Sequence, residues 1–171
     1  MKTIPTKINK YNVYNQGNRL LGTGDEVTLP SFEASSETVS GAGVLGEFDD
    51  PTVGYFSNME LEIPFRVLDQ EAVDMLDQTK AVQLELRGAQ QTTDENGDIE
   101  FRPMRVVVRG RMAGFDPGKV KAGNGMETSV KLTIIYILIE LEDQPMVELG
   151  KTTETFKIRG VDVLAKIKEM C

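Results

Sequence analysis

The stretch Phe101–Ala113, FRPMRVVVRGRMA, constrains the fold of this chain more than any other. From Met104 its side chains alternate. Met104, Val106, Val108 and Met112 fall on one face, and Arg105, Arg109 and Arg111 fall on the other with Val107 among them. A period of two through three consecutive valines predicts a strand with one buried face. Pro103 has no N–H to give to a ladder, so it marks a bulge or the start of the strand. Upstream, Ala81–Gln91 alternates in the same way, with Val82, Leu84 and Leu86 against Gln83, Glu85 and Arg87. The polar link Thr92–Asp98 holds Asn96-Gly97, a dipeptide that takes the positive φ a tight hairpin turn needs. The middle of the chain therefore reads as a long antiparallel hairpin, polar on one face. With Glu85 on the partner strand and a net charge of −8, Arg105, Arg109 and Arg111 are candidates for ion pairing within the chain or between subunits, ahead of phosphate binding.

The rest of the chain repeats this pattern in shorter pieces. Lys10–Tyr14, Glu26–Pro30 and Phe32–Ser40 read as short strands. Ser57–Val67 sets Met59, Leu61, Ile63 and Phe65 against Asn58, Glu60, Glu62 and Arg66. Asp69 is an N-cap for a short helix whose apolar stripe is Ala72, Val73, Leu76 and Met75. In Ser129–Glu142, strict alternation puts Val130, Leu132, Ile134, Tyr136 and Leu138 on one face, yet Ile135, Ile137 and Ile139 make the other face apolar too. Such an end is buried on both sides, by a helix or by another subunit. Met146–Leu149 and Thr152–Arg159 read as strands about a turn at Gly150-Lys151, and Val161–Met170 as a closing amphipathic helix. The reading is a mainly β, mostly antiparallel sandwich or open barrel of about eight strands, with one short helix in mid-chain and one at the C-terminal end.

Gly41–Gly54, GAGVLGEFDDPTVG, combines four glycines and a proline with Val44, Leu45, Phe48 and Val53. It is either a loop folded back on its own core or a projecting arm whose apolar side chains a neighbouring subunit buries. The 171 residues suffice for one domain with a real core, and residues 1–171 read as one, with this loop projecting at about 41–54.

Catalysis finds little support. The chain has no histidine, which removes triads, histidine metal sites and imidazole acid–base chemistry. Asp94–Asp98 lacks the spacing and the distal glutamate of a calcium loop, and Glu47, Asp49 and Asp50 read as a solvated cluster. Gly22-Thr23-Gly24 has neither the lysine nor the following helix of a phosphate loop. Cys171, the lone cysteine, has no activating neighbour in sequence. No catalytic residue, metal or cofactor is expected. The first residues have no apolar run of signal-peptide type, and Ile134–Ile139 is too short to span a bilayer, so a cytoplasmic protein without membrane binding is expected.

Taken in order, the chain resembles the major tail tube proteins of contractile-tailed bacteriophages, whose tube phage-tail-like bacteriocins share. The resemblance rests on Tyr11–Asn18, on Glu26-Val27-Thr28-Leu29-Pro30 and on the glycine-rich Gly41–Gly46. It continues through Gln83–Ala89 followed by Val106–Arg111, the spacing of Asp116, Gly118, Lys121 and Gly123, and Gly160–Ala165 near the end. It covers nearly the full length.

The resemblance implies a structural subunit. Hexameric rings would stack into a hollow tube inside a contractile sheath, conducting DNA or forming the piercing core of a particle assembled in the host bacterial cytoplasm. The implied partners are further copies of the chain, the sheath protein, baseplate and tail terminator proteins, a tape measure protein, and DNA that passes without specific binding. Gly41, Gly43, Val44, Leu45, Gly46, Phe48 and Val53 are then candidates for ring stacking, and Glu60, Glu62 and Glu85 for the lumen. The rival class, a small-molecule-binding β-barrel, predicts a monomer with an apolar pocket.

Overall fold

The computed structural model describes residues 2–171. Its strands are β1 (Thr3–Asn15), β2 (Asn18–Arg19), β3 (Ala34–Ser40), β4 (Glu47–Phe56), β5 (Glu60–Phe65), β6 (Val82–Asp94), β7 (Ile99–Asp116), β8 (Thr128–Leu141), β9 (Gln144–Gly150), β10 (Thr155–Ile158) and β11 (Val161–Asp162). Two short helices, α1 (Gln70–Asp74) and α2 (Ala165–Met170), complete the chain. One sheet runs in the order β11-β10-β9-β8-β7-β6-β1-β2, with β5 pairing the first half of β8, and it does not close. β3 and β4 form a separate two-stranded hairpin. The protein is mainly β and every strand pair is antiparallel.

The central hairpin folds as its alternation requires. β6 and β7 pair from Val82↔Gly110 to Thr93↔Ile99. Val82, Leu84, Leu86, Val106 and Val108 are buried on the core face with Val13, Leu61, Ile63, Leu132 and Ile137. In the turn the Asp94 carboxylate accepts from the Asn96 and Asp98 N–H groups, both at 2.8 Å. Asp69 caps α1 by accepting from the Gln70 N–H at 2.7 Å. α1 buries Ala72, with Met75 just beyond it, while Val73 is exposed, so the expected stripe is turned by about one residue.

The double-faced greasiness of β8 has a local cause. The register with β7 shifts between Arg109 and Gly110, whose partners are Tyr136 and Ile134, so Ile135 is the extra residue of a bulge. The bulge changes the phase of the strand. Ile137 is buried on the core face with Ile134, and Tyr136 and Leu138 share the opposite face with Arg109 and Val107. Strict alternation through the bulge reversed these assignments. Gly110 fits because a Cβ there would stand 2.2 Å from the Thr133 carbonyl oxygen.

Four other boundaries differ from the sequence reading. β1 runs from Thr3, well before Lys10, because residues from Ile4 to Lys10 are exposed on both faces and leave no periodic trace. Glu26–Pro30 is not a strand; this segment makes only an isolated bridge, Thr28↔Glu62, as it runs along the outer edge of β5. The glycine-rich stretch is a loop only to Gly46, and Glu47 begins a strand. At the C-terminal end, Val161 and Asp162 pair with β10, so the helix starts at Ala165, and its side chains are not buried. Leu164 precedes it with no side-chain cap, and only the last six residues of the expected helical run are helical.

Candidate assembly surfaces

Three surfaces gather the residues singled out by sequence. The first is the β3–β4 hairpin. Its register runs from Ser40↔Glu47 at the tip to Ala34↔Phe56 at the base. Gly41, Gly43 and Gly46 take φ of +132°, +87° and +86°, which shapes the reversal between the strands. Leu45 is fully exposed, Phe48 and Val53 are about half exposed, and Val44 is partly covered. Tyr55, two-thirds exposed, extends this apolar surface. The Phe48–Val39 and Asp50–Glu37 pairs lie two positions apart on one face of the hairpin, with Thr38–Asp49 between them.

The hairpin is free at its tip and fixed at its base. Phe56 meets Phe32 and Phe156 edge-on, with ring centroids 5.7 and 5.2 Å apart. The Lys151 ammonium donates to the Ser57 carbonyl at 2.8 Å, and burial lowers its pKa. Leu164 lies where a Cβ on Gly54 would stand, 2.8 Å from Leu Cδ2, and Gly54 itself has φ +81°. None of these anchors was evident in the sequence. Phe32, Phe56 and Phe156 come from three separate segments, and only the fold brings them together.

The second surface is the polar face of the main sheet. Arg105 donates from Nε to Glu85 at 2.7 Å and from its terminal nitrogen to Glu140 at 2.7 Å. Arg87 donates to the same Glu85 carboxylate at 2.5 Å and covers the Tyr14 ring at 4.4 Å. Hydrogen bonds from Arg105 and then Arg87 hold the Glu85 carboxyl below its ordinary range. The guanidinium of Arg109 stacks over Tyr136 at 4.9 Å. Burial, with its hydrogen bond to Glu148, pushes the Tyr136 hydroxyl up to about 12. Arg111 is exposed and forms no ion pair among the described residues. Strict alternation puts Tyr136 on the wrong face and leaves Glu140 unread because the bulge changes the phase of β8, while Glu148 stands on β9 and joins them only through the fold.

The third surface is the outer face of β5. Glu60 and Glu62 are exposed and stand opposite Thr133 and Lys131 on β8. The Lys131 ammonium is 3.9 Å from Glu60, a long, exposed contact. Thr133 pairs in turn with Arg111, so Glu60 and Arg111 lie in one cross-strand row. The register thus puts Glu60, Glu62 and Glu85 on one sheet face, but in different states. Glu85 is clamped between two arginines, with its side chain 15% exposed, whereas Glu60 and Glu62 face solvent.

Among the described residues no arrangement assembles a nucleophile with a base. Among the described residues no cluster of acidic or cysteine side chains is arranged to hold a metal ion, and no helix is long and apolar enough to cross a membrane. Two surface depressions, of about 840 and 790 Å³, have charged side chains in their linings, Glu62 and Arg66 in one and Glu85 and Arg105 in the other.

Residues 5–170 match the family model described as phage tail tube protein FII. The chain belongs to that family. A tail tube protein of Escherichia phage P2 is 27% identical over 173 residues, covering 94% of each chain. Two solved structures share the fold at 14% identity. One is titled the sheath/tube terminator of an extracellular contractile injection system in the extended state; its TM-score is 0.58, over 80% of this chain and 97% of that one. The other, from the sheath-tube complex of such a system, gives a TM-score of 0.53 over 80% and 91%. The tail tube protein described here is therefore a structural component of a phage tail or a tail-like particle, not an enzyme.

Proposed function

We propose that copies of this tail tube protein form hexameric rings, and that the rings stack through the β3–β4 hairpin into a hollow tube. The observation that carries this reading is the hairpin itself. It holds Leu45, Phe48, Val53 and Tyr55 in water on a rigid base, and only a neighbouring molecule can cover them. The open β11 end of the main sheet supplies one side of a lateral contact, because an unpaired strand edge is satisfied when subunits join into a ring. A head-to-tail contact between rings does not close on itself and so builds a filament.

A contractile sheath surrounds the tube in this reading, and a terminator ends it. Of the two solved structures that share the fold, one is a sheath/tube terminator and the other comes from a sheath-tube complex, so such partners are named for those proteins. Baseplate and tape measure proteins set where the tube starts and how long it grows, and assembly takes place in the cytoplasm of the host bacterium. Glu60 and Glu62 face the lumen, where carboxylates without a close guanidinium repel the DNA backbone and let it slide. Glu85 helps hold the sheet together, its charge compensated by Arg87 and Arg105.

Deletion of Val44–Val53 tests the stacking role. The shortened protein is expected to keep its β-rich circular dichroism and to form no tubes under conditions where the full chain does. Tubes of ordinary length from the deletion would refute the assignment.

A further inference from the structure

We propose that the receptor for the hairpin is the β1 edge of a second copy, where Lys7 and Lys10 receive the Glu37–Asp50 pair beside an apolar strip. This inference rests on the tube reading above and names the surface that the arm occupies. The motivating observation is an unbalanced distribution of charge. Residues 33–56 carry Glu33, Glu37, Glu47, Asp49 and Asp50, and no lysine or arginine. Residues 2–24 carry Lys2, Lys7, Lys10 and Arg19, and no aspartate or glutamate. Among the described residues none of these charges forms a salt bridge within the chain, although cations elsewhere, such as Arg87, Arg102 and Arg105, do.

Glu37 and Asp50 make the case specific. They are direct cross-strand partners, and like charges so placed repel one another. An isolated subunit gains nothing from this pair; a cation from outside would turn the repulsion into attraction. Two positions along the hairpin, on the same face, Phe48 and Val39 form an apolar pair, with Phe48 half exposed.

The β1 side is complementary. Past Met104↔Leu141, where β8 leaves β7, only β1, β6 and β7 continue as a three-stranded ribbon. On this ribbon Ile4 shares a row with Thr93 and Ile99, Lys7 with Gln91 and Phe101, and Lys10 with Ala89 and Pro103. Ile4, Ile99 and Phe101 are each more than half exposed. The ribbon thus offers lysines at its rim and an apolar strip beside them, matching an arm that sets the acidic Glu37–Asp50 pair on the same face as the apolar Val39–Phe48 pair. The outer edge of β1 also has room for a strand, since β2 pairs only with Tyr14 and Asn15.

Charge reversal tests the proposal. The doubles Lys7→Glu with Lys10→Glu, and Glu37→Lys with Asp50→Lys, should each raise the protein concentration needed for tube formation about tenfold. Both should keep wild-type circular dichroism. Mixing the two proteins, or combining the four changes in one chain, should restore assembly, because each reversed arm then meets a reversed edge. Raising the salt should weaken wild-type assembly and the restored mixture alike. Two doubles that assemble like wild type, or a mixture no better than its parts, would overturn the receptor assignment and leave the tube reading standing. Wild-type protein that never assembles would instead overturn the tube reading and this inference with it.

Discussion

Replacing Arg105 by methionine removes the centre of the charge lattice and should do so in a pH-dependent way. Arg105 bridges β6 to β8 by bonding Glu85 and Glu140, each at 2.7 Å. Hydrogen bonds to charged partners contribute about 1.5–3 kcal/mol each when shielded, and less when water competes. The Arg105 side chain is 43% exposed while both carboxylates are under 20%, so a net loss of about 2 kcal/mol is the reasonable scale. For a domain of this size that lowers the melting temperature by about 4–8 °C at neutral pH.

The sign with pH follows from Glu85. Its carboxyl is held below the ordinary value of 4.5, so its ion pair stabilises the fold fully above that value and the contribution is lost as pH falls through the lower, folded value. The Arg105→Met protein lacks most of this contribution throughout. The two melting temperatures should therefore be furthest apart near pH 7 and should converge as pH drops below about 4.5. Thermal unfolding followed by circular dichroism across that range measures it. A gap that stays constant on acidification would mean that Arg105 acts through the packing of its aliphatic stem and that the charge account is mistaken.

Further perturbations separate the surfaces. Reversing Glu60 and Glu62 to lysine should spare tube assembly and slow DNA ejection; unchanged ejection from intact tubes would argue against a lumenal position. Gly110→Val would drive a side chain onto the Thr133 carbonyl oxygen, so it should cost several kcal/mol, about 3 or more, in urea unfolding, whereas Gly114, where a Cβ would meet Lys131 Cβ at an ordinary 3.7 Å, should tolerate alanine far better. Leu61→Ala removes a fully buried side chain on β5 and should cost about 2–5 kcal/mol in the same assay. Gly54→Leu should displace Leu164 and swing the hairpin at its base, reducing assembly more than stability; equal losses in both would show that the site only serves the fold.

The parts of the fold legible in sequence are those where one face is buried and the other wet. Val82–Arg87, Met104–Arg109 and Met59–Phe65 alternate because the core lies to one side of them, and their strands follow. The N-terminal half of β1 was not legible, since Ile4 to Lys10 face solvent throughout and only the ladder to β6 makes them a strand. The phase of β8 after Ile134 was lost for a different reason. A bulge is a property of two strands together, and no pattern within one of them reveals it. The closing helix was overread because Val161, Leu164 and Ile167 have helical spacing, although Val161 belongs to a ladder with Ile158.

The assembly surfaces divide along the same line. The exposed apolar residues of the hairpin stood out among glycines, but its character as a two-stranded arm did not, because Glu47–Pro51 contains acidic residues and a proline that disfavour strands. The pairing of Arg105 with Glu85 followed from cross-strand alternation, whereas Glu140 entered only once the register of β8 was known. The basic character of β1 and the acidic character of the hairpin are plain in the sequence, and they acquire meaning only when the fold shows that, among the described residues, their charges form no salt bridge.

Electron microscopy of the concentrated wild-type protein, alone and co-expressed with its sheath and terminator, tests the central claim most directly. The proposed assembly predicts hollow tubes of stacked rings with six subunits in each, and the hairpin reaching from each ring to the next. A chain that stays a monomer of 18.9 kDa in every condition, or tubes in which the hairpin touches no neighbouring ring, would contradict it.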